Sequence, residues 1–386
     1  MNARAQPLGR PLRWSQVAAF RLARHHLVDR SSADLAEVCR DVCGIQAQVM
    51  SSAAMACWTR MPEITPGAIH SALWQRRTLV RTSCMRQTLH LVPSADLSIY
   101  INALKRSRKA ALLRGMAKFA MTAKDMDALN GLVMEALRDG PMSQRHLTEA
   151  VKPRLNKRIR AWMERFWSIF RPAIVEGMIC YGPEQGEGKR NDVVLVRVDQ
   201  WLPKQKKLDE MKDELTSQHL LLRSYLQAYG PATLQDFSCW SGISMKESRE
   251  IWNSVAPELA EVSIEGQKRS ILSKDLNELA QSALDQDVVR LLPAFDSYVL
   301  AHAKKDHLVS SQHYKRVYRN QGWISPVVLI NGRIGGVWSC AIKGRVLSLH
   351  AELFERVPKR LRSRIHDEGE MLGQFLGGSI SVSLTA

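Results

Sequence analysis

Apolar residues recur along this chain with the period of amphipathic helices, and short strand-like segments follow groups of these helices. Leu129, Val133 and Leu137 share one face of a helix predicted over 128–137. A helix predicted over 218–228 carries a similar apolar face. A Gly-Pro pair, which breaks a helix, follows each of them, and the two pairs are 90 residues apart. The two segments therefore repeat one structural plan.

Both repeats continue with further helices and then a pair of strands. Ser143 and Thr233 stand where an N-cap would open the second helix. The third helices are predicted over 158–175 and 246–255. The strand pairs are predicted over 178–181 with 193–198 and over 261–264 with 270–272. Helix, turn, helix, longer helix and two-stranded wing is the order typical of a winged helix-turn-helix.

The N-terminal residues follow the same order. Helices are predicted over 14–27, 34–43 and 46–59, with a hairpin formed by 79–85 and 88–92. Near the C-terminus, short apolar runs alternate with turns at Asn331-Gly332 and Lys343-Gly344, which favours β-hairpins. A helix over 358–375 and a strand over 380–384 follow. We predict an α+β fold of three tandem winged-helix units plus a small C-terminal β-rich, barrel-like domain.

Four domains follow from this organisation. They are residues 1–100, a first winged helix; 101–202, a linking helix and a second winged helix; 203–285, a third winged helix; and 286–386, the β-rich domain. A polar connector at 203–207 separates the second winged helix from the third, and 182–192 is expected to form a mobile wing tip.

The charge is strongly positive, with a net value of +17 over 386 residues and a pI of about 9.8. Such an excess points to a polyanionic partner, usually nucleic acid, although a generally basic protein remains an alternative. Seven cysteines occur without a Cys-x-x-Cys pair, which favours reduced thiols in a cytoplasm. Neither a secretion signal nor a membrane-spanning run is found, so we expect a cytoplasmic protein without membrane contact.

Several common chemistries lack support. No Gly-rich phosphate loop follows a strand, so no nucleotide cofactor is expected. His302, His307 and His313 lack metal-ligand spacing and are interpreted as solvated surface residues, so no metal is expected. Cys39 and Cys43 are one helical turn apart and are interpreted as core residues.

The segment Gly44-Ile45-Gln46-Ala47-Gln48 places two amides inside an apolar stretch. An unpaired buried amide costs about 1–3 kcal/mol, so two together indicate a polar site facing a pocket. Residues two apart differ by about 200° around an α-helix, so both amides can line one pocket only at a loop or a helix start. Capping of backbone groups at a helix start is the alternative role.

The first predicted hairpin offers basic groups. Arg81, Arg86 and His90 are candidate DNA contacts, with the two arginines placed for phosphate groups and His90 on the returning strand. Solvated charges for the arginines, and a hydrogen-bonded core position for the histidine, are the alternatives.

The motifs together resemble one family. The run Gly-Ile-Gln-Ala-Gln is followed in order by LVRTSCMRQTLHLVP, LRSYLQAYGPATLQDFSCWSG, LLPAFDSYVL and VVLINGRIGGVWS. This pattern looks like the AlkZ-like winged-helix DNA glycosylases, from about Trp14 to the C-terminus. Other members carry Asp at the second motif position, so Gln48 is similar to the two-glutamine branch. The family usually has Gly at the position of Gln87, which is a departure in this chain.

The resemblance implies a monofunctional DNA glycosylase that removes N7-alkylated purines, in some members from interstrand crosslinks. The implied catalytic residues are Gln46 and Gln48, and the implied partner is double-stranded DNA with alkylated bases, bound by a monomer without cofactor. Because N7 alkylation makes the base cationic, it leaves without protonation. The amides then hold a water at C1′ and stabilise positive charge on the sugar. A non-catalytic winged-helix transcriptional regulator is the alternative function.

Further candidate DNA contacts lie near the C-terminal domain, where a solvated basic face is an equal alternative. They are Lys304, Lys305, Lys315, Arg316 and Arg319. Asp296 is either a second polar group near the site or, as we expect, a carboxylate that caps a turn.

Overall fold

The chain forms two compact bodies in the computed structural model, which describes residues 11–166, 170–183, 193–202, 213–343 and 346–385. The larger body takes the described parts of Met1–Ile69, Leu222–Trp240 and Ser248–Ala386, and the smaller body takes those of His70–Leu221 and Ser241–Glu247. The predicted connector at 203–207 and most of the predicted wing tip lie outside the described residues. The division into four domains stays a prediction.

Helices and strands are mixed along the chain, which confirms the α+β class. The α-helices are Trp14–Arg24, Leu35–Asp41, Met50–Trp58, Pro66–His70, Leu97–Ala117, Ala123–Ala136, Gln144–Val151, Lys157–Phe166, Arg171–Val175, Val198–Trp201, Glu214–Tyr229, Leu234–Ser241, Met245–Val255, Leu276–Gln281, Ser297–Leu300, Tyr314–Val317 and Lys359–Leu376. The strands are Ile45–Gln46, Leu79–Ser83, Leu89–Pro93, Met142–Ser143, Ile179–Tyr181, Val194–Arg197, Leu259–Ile264, Gln267–Leu272, Val289–Leu292, Val327–Ile330, Arg333–Lys343, Val346–Leu353 and Ser379–Thr385.

A five-stranded sheet forms one end of the larger body. Its order, from edge to edge, is Ser379–Thr385, Val346–Leu353, Arg333–Lys343, Val327–Ile330 and Val289–Leu292. The first two strands are parallel, and the other neighbours are antiparallel. In the described residues this sheet is open and not closed on itself, so the predicted barrel-like form is not found.

The helix Lys359–Leu376 covers this sheet. Leu361, Ile365 and Leu372 are buried on its inner face, in one cluster with core residues of the strands. A Cβ atom at Gly369 would lie 2.5 Å from the Cγ2 of Val382, so only glycine permits this close approach of helix and strand. Burial of such a face contributes about 25 cal/mol for each Å² removed from water.

The hairpin Leu259–Ile264 and Gln267–Leu272 packs elsewhere in the larger body. Its buried side chains share a core with Val17 and Phe20 of the first helix. The preceding helix Leu234–Ser241 opens as predicted, since the hydroxyl of Thr233 accepts a hydrogen bond from the amide of Asp236 at 3.1 Å. The predicted hairpin glycine, Gly266, has a positive φ of 84°.

The smaller body contains a sheet in the order Leu89–Pro93, Leu79–Ser83, Ile179–Tyr181, Val194–Arg197 and Met142–Ser143. Ser143 caps the next helix, as predicted, by accepting from the amide of His146 at 3.3 Å. The single helix predicted over 158–175 is wrong. Two helices, Lys157–Phe166 and Arg171–Val175, take its place, and Pro172 stands in the first turn of the second, where proline is tolerated.

The histidine prediction is also corrected. His302 is 4 % exposed and its Nε2 lies 3.0 Å from the carbonyl oxygen of Tyr229, while His307 is half-buried and stacks on Trp14. His302 belongs to the packed interior, and His313, like His307, is half-buried and stacks on an aromatic ring, that of Phe354. The described residues hold no group of three or more His, Cys, Asp or Glu side chains placed to bind a metal ion.

Buried histidines make the stability of the protein sensitive to acid. Burial, followed by nearby arginines, lowers the pKa of His90 to about 3 and holds the pKa values of His25 and His302 well below 6.5. At acidic pH the unfolded chain therefore binds more protons than the folded protein, and the free energy of unfolding falls as the pH drops below 6.5. Between pH 7.5 and pH 5 we expect a loss of about 2 kcal/mol for each histidine. Urea unfolding at the two pH values measures it.

A variant pair separates this effect from general acid sensitivity. His302→Gln keeps an amide that can donate to the carbonyl of Tyr229 and removes one titrating ring, so its unfolding midpoint should fall less between pH 7.5 and pH 5. His146→Gln, at an exposed position, should behave as the wild type does. Equal pH dependence in all three proteins would contradict the explanation.

Candidate active site

The two-glutamine motif lies in a turn and a short strand of the larger body. Cys43 and Gly44 both have positive φ, 54° and 88°, which ends the preceding helix and turns the chain. Ile45–Gln46 is a strand, and the next helix begins at Met50. The predicted helix start at residue 46 is therefore wrong by four residues, and the motif lies on non-helical backbone, which is the condition under which both amides can line one pocket.

Two side-chain hydroxyl groups donate hydrogen bonds to backbone carbonyl oxygens of this segment. The hydroxyl of Tyr229 donates to the carbonyl oxygen of Val42 at 2.7 Å, and that of Ser297 donates to the carbonyl oxygen of Gly44 at 3.0 Å. Carbonyl groups of a turn that are not used in secondary structure need such partners when they are buried. Both donors come from distant parts of the chain and fix the backbone directly before Gln46.

A buried ion pair lies next to Ser297. Arg60 and Asp296 are fully buried and form two hydrogen bonds, Nη1 to Oδ2 at 2.8 Å and Nη2 to Oδ1 at 2.9 Å. Although burial alone lowers the pKa of Arg60, the charge of Asp296 raises it above its ordinary value. Asp296 also accepts from the amide of Tyr298 at 2.9 Å, which confirms its expected role as a capping carboxylate.

Sequence reasoning missed Arg60, Ser297 and Tyr229 as supports of the motif. Arg60 is a charged residue after the apolar run that ends in Trp58, which is a weak signal for a buried partner. Its carboxylate partner lies 236 positions away, and no local pattern links the two.

The two motif glutamines differ in exposure. Gln46 is 6 % exposed, Ala47 is buried and Gln48 is exposed. The strand ends at Gln46 and Gln48 lies in a bend before the next helix, so the helical separation of about 200° between residues two apart does not apply to this pair. Neither amide titrates near neutral pH, so either can interact with a ligand only through hydrogen bonds and its dipole.

The predicted first hairpin is present in the smaller body, with Thr82 opposite His90. The interpretation of Arg81 as a solvated charge is wrong, since Arg81 is 7 % exposed and its guanidinium lies 5.8 Å from the centre of the Tyr181 ring. His90 is buried and its Nδ1 lies 2.9 Å from the carbonyl oxygen of Thr88, which confirms a hydrogen-bonded core position. Burial and the charge of Arg86 lower the pKa of His90 to about 3, so it is uncharged near neutral pH.

The turn of this hairpin explains the usual glycine of the family. Arg86 and Gln87 have φ values of 53° and 61°, a left-handed conformation that glycine adopts without strain. In this chain the side chain of Gln87 accepts from Nη2 of Arg171 at 2.6 Å, a contact that glycine cannot make. The hydrogen bond offsets part of the backbone strain.

The C-terminal basic residues differ in availability. Lys304, Lys315 and Arg319 are exposed, whereas Lys305 is 8 % exposed and its Nζ donates to the carbonyl oxygen of Leu300 at 3.1 Å. Arg316 forms an ion pair with Glu352 at 2.6 Å. The side chains of Lys305 and Arg316 therefore already have partners within the protein.

Among the described residues, no helix is long and apolar enough to cross a membrane.

Comparison with known proteins shows to which family this chain belongs. The family model described as "DNA glycosylase AlkZ-like" matches residues 39–375. The interstrand DNA cross-link repair glycosylase of Streptomyces sahachiroi is 30% identical over 356 residues, which cover 89% of this chain and 92% of that protein. The solved structure of the DNA glycosylase AlkZ from Streptomyces sahachiroi superposes with a TM-score of 0.84 at 27% identity, covering 97% of this chain and 100% of that one. The chain thus belongs to the AlkZ-like family and is a DNA repair glycosylase.

Proposed function

We propose that this protein hydrolyses the N-glycosidic bond of N7-alkylated, cationic purines in double-stranded DNA, including purines in interstrand crosslinks. The observation that carries the proposal is the position of Gln46 and Gln48, on non-helical backbone that Tyr229 and Ser297 hold in place. A relative named as an interstrand DNA cross-link repair glycosylase supports the inclusion of crosslinks.

Loss of a cationic purine requires few catalytic groups from the protein. A purine alkylated at N7 carries a positive charge, so it departs from the sugar without a general acid. The remaining tasks are to place a water at C1′ and to stabilise the positive charge that develops on the sugar. The amide oxygens of Gln46 and Gln48 accept hydrogen bonds from that water, and their dipoles favour the charge. Correct placement of the water by itself supplies several kcal/mol.

The amide chemistry of the two motif residues sets the substrate range. Since an amide removes no proton at neutral pH, the water attacks a sugar that already has oxocarbenium character. Neutral bases do not leave early enough for this mechanism. We therefore propose that the enzyme is restricted to cationic, labile lesions, acts as a monomer and needs neither metal nor nucleotide cofactor.

The basic surface would supply DNA affinity. Three segments, each with at least three helices followed by two antiparallel strands, support the proposal of three tandem winged-helix units. The net charge of +17 matches a polyanion. Among the predicted contacts we retain Arg86, Lys304, Lys315 and Arg319 for phosphate groups. The burial of Arg81, His90 and Lys305 makes direct phosphate contact from these three less favourable.

One experiment tests the substrate class. The wild-type protein is incubated with a duplex that carries 7-methylguanine, with the same duplex carrying a neutral lesion, and with the unmodified duplex. We expect release of the cationic base alone, and release of both guanines from an N7-linked interstrand crosslink. Sequence-dependent binding without base release would instead support the regulator.

A further inference from the structure

A rigid loop of the larger body presents an exposed tryptophan. Trp323 is 47 % exposed although it is the largest type of apolar side chain. The amide of Arg319 donates to the carbonyl oxygen of Trp323 at 2.8 Å, and the amide of Ser325 donates to that of Val317 at 2.9 Å. The side chain of Ser325 donates to the carbonyl oxygen of Arg316 at 2.8 Å. These bonds close the loop upon itself and fix its tip.

The backbone of the tip is strained in a way that orients the ring. Gln321 has a φ of 58°, a left-handed conformation for a residue with a long side chain, and it precedes Gly322 with a φ of 75°. The rings of Trp323 and Phe295 are nearly perpendicular, with a centroid distance of 5.0 Å and an interplanar angle of 77°. Phe295 is itself buried with a φ of 63°. Such strain persists where the surroundings demand one fixed geometry.

A cavity with basic walls adjoins this ring. It is open to solvent, has a volume of about 650 Å³ and is lined by Lys315, Arg319, Gln321 and Trp323 among others. That volume is typical of sites for small ligands. The exposed ammonium and guanidinium groups suit an anionic backbone, the amide of Gln321 offers a donor and an acceptor, and the indole offers a π-face.

The cavity belongs to the neighbourhood of the motif. Phe295 comes two residues before Ser297, whose hydroxyl holds the carbonyl oxygen of Gly44, and Gly44 comes two residues before Gln46. Two chain steps span at most about 7.6 Å, so this series of contacts, with the side chains of Phe295 and Ser297 included, bounds the distance from the Trp323 ring to the Cα of Gln46 at roughly 32 Å. That is within about ten nucleotide steps of a DNA strand.

We propose that Trp323 is a stacking platform for an unpaired base of the substrate DNA, with the flanking phosphates bound by Lys315 and Arg319. Aromatic faces combined with basic side chains bind unpaired nucleotides without sequence preference. The damaged base, once it leaves the base stack of the duplex, or the unpaired base opposite it, would stack on the ring of Trp323. The proposal rests on the proposed function only for the identity of the ligand as DNA.

Binding of unmodified DNA tests it. Fluorescence anisotropy compares a duplex with one bulged base to the same duplex fully paired. Trp323→Ala should weaken binding of the bulged duplex by about 5- to 150-fold, the effect of losing one stacked base, and leave the paired duplex almost unaffected. Trp323→Phe, which keeps a ring, should recover most of the affinity. With 2-aminopurine as the bulged base, the wild type should quench its fluorescence more than Trp323→Ala does.

Two further variants complete the test. Tyr314→Ala removes another exposed ring, 40 % exposed, and should change binding of the two duplexes equally or not at all. Lys315→Gln with Arg319→Gln should weaken both duplexes and reduce the salt dependence. Unchanged binding of the bulged duplex by Trp323→Ala, or an equal loss for both duplexes, overturns the proposal. Because neither duplex contains a lesion, the outcome is independent of base release and of the glutamine pair.

Discussion

Replacing both motif glutamines, Gln46→Ala with Gln48→Ala, should lower the single-turnover rate of 7-methylguanine release by about 10²- to 10³-fold. The amides would hold the same water, so the loss in the double variant should be much smaller than the product of the single losses. The cationic base still departs slowly without them, which sets the residual rate. Excess enzyme over methylated duplex separates the chemical step from product release.

The surrounding variants show whether the loss is specific. Gln227→Ala, at an exposed position of the same body, should retain the wild-type rate. Gln48→Asp should retain more activity than Gln48→Ala, because a carboxylate also accepts a hydrogen bond from water. DNA binding of the double variant should be close to wild type. If the double variant releases 7-methylguanine as fast as the wild type, the proposed role of the amides is refuted.

Breaking the buried ion pair is expected to have the largest effect on stability. Arg60→Met leaves the carboxylate of Asp296 buried without its partner, at 0 % exposure, and should cost about 3–5 kcal/mol in the free energy of unfolding. Urea unfolding at pH 7.5 measures the loss.

A second substitution tests the cause of that loss. Asp296→Asn keeps an oxygen that accepts from the amide of Tyr298 and removes the charge. The combination Arg60→Met with Asp296→Asn should therefore be more stable than Arg60→Met alone. The exposed pair Arg223–Glu258 provides the comparison, and Arg223→Met should cost less than about 1 kcal/mol. Similar losses for Arg60→Met and Arg223→Met would contradict the argument from burial.

The ion pair also links stability to the proposed site. Asp296 caps the turn that carries Ser297, and Ser297 holds the carbonyl of Gly44. Arg60→Met, which loosens this turn, should therefore lose base release even at temperatures where the variant is folded. Arg223→Met leaves the turn unchanged, so comparing the two variants separates an effect on the proposed site from an effect on stability alone.

Local features of the chain were predictable because they depend on neighbouring residues. Ser143 and Thr233 were correctly placed as helix caps, since a cap uses an amide three positions away. The Asn331-Gly332 turn lies between strands, as its composition indicated. Residues 46–59 were predicted as one helix because they continue an apolar run, and there the local pattern misled.

The sequence by itself determined the mixed α+β class, two of the helix caps, the charge and the amide pair at Gln46 and Gln48, since all of these depend on local composition and spacing. Only the tertiary structure decided where the helix after the motif begins, because its anchors, Tyr229 and Ser297, are 187 and 253 positions from the carbonyls that they hold. It also decided which charges are buried. A basic residue such as Lys305 looks solvated in sequence, and only packing by distant segments removes it from water.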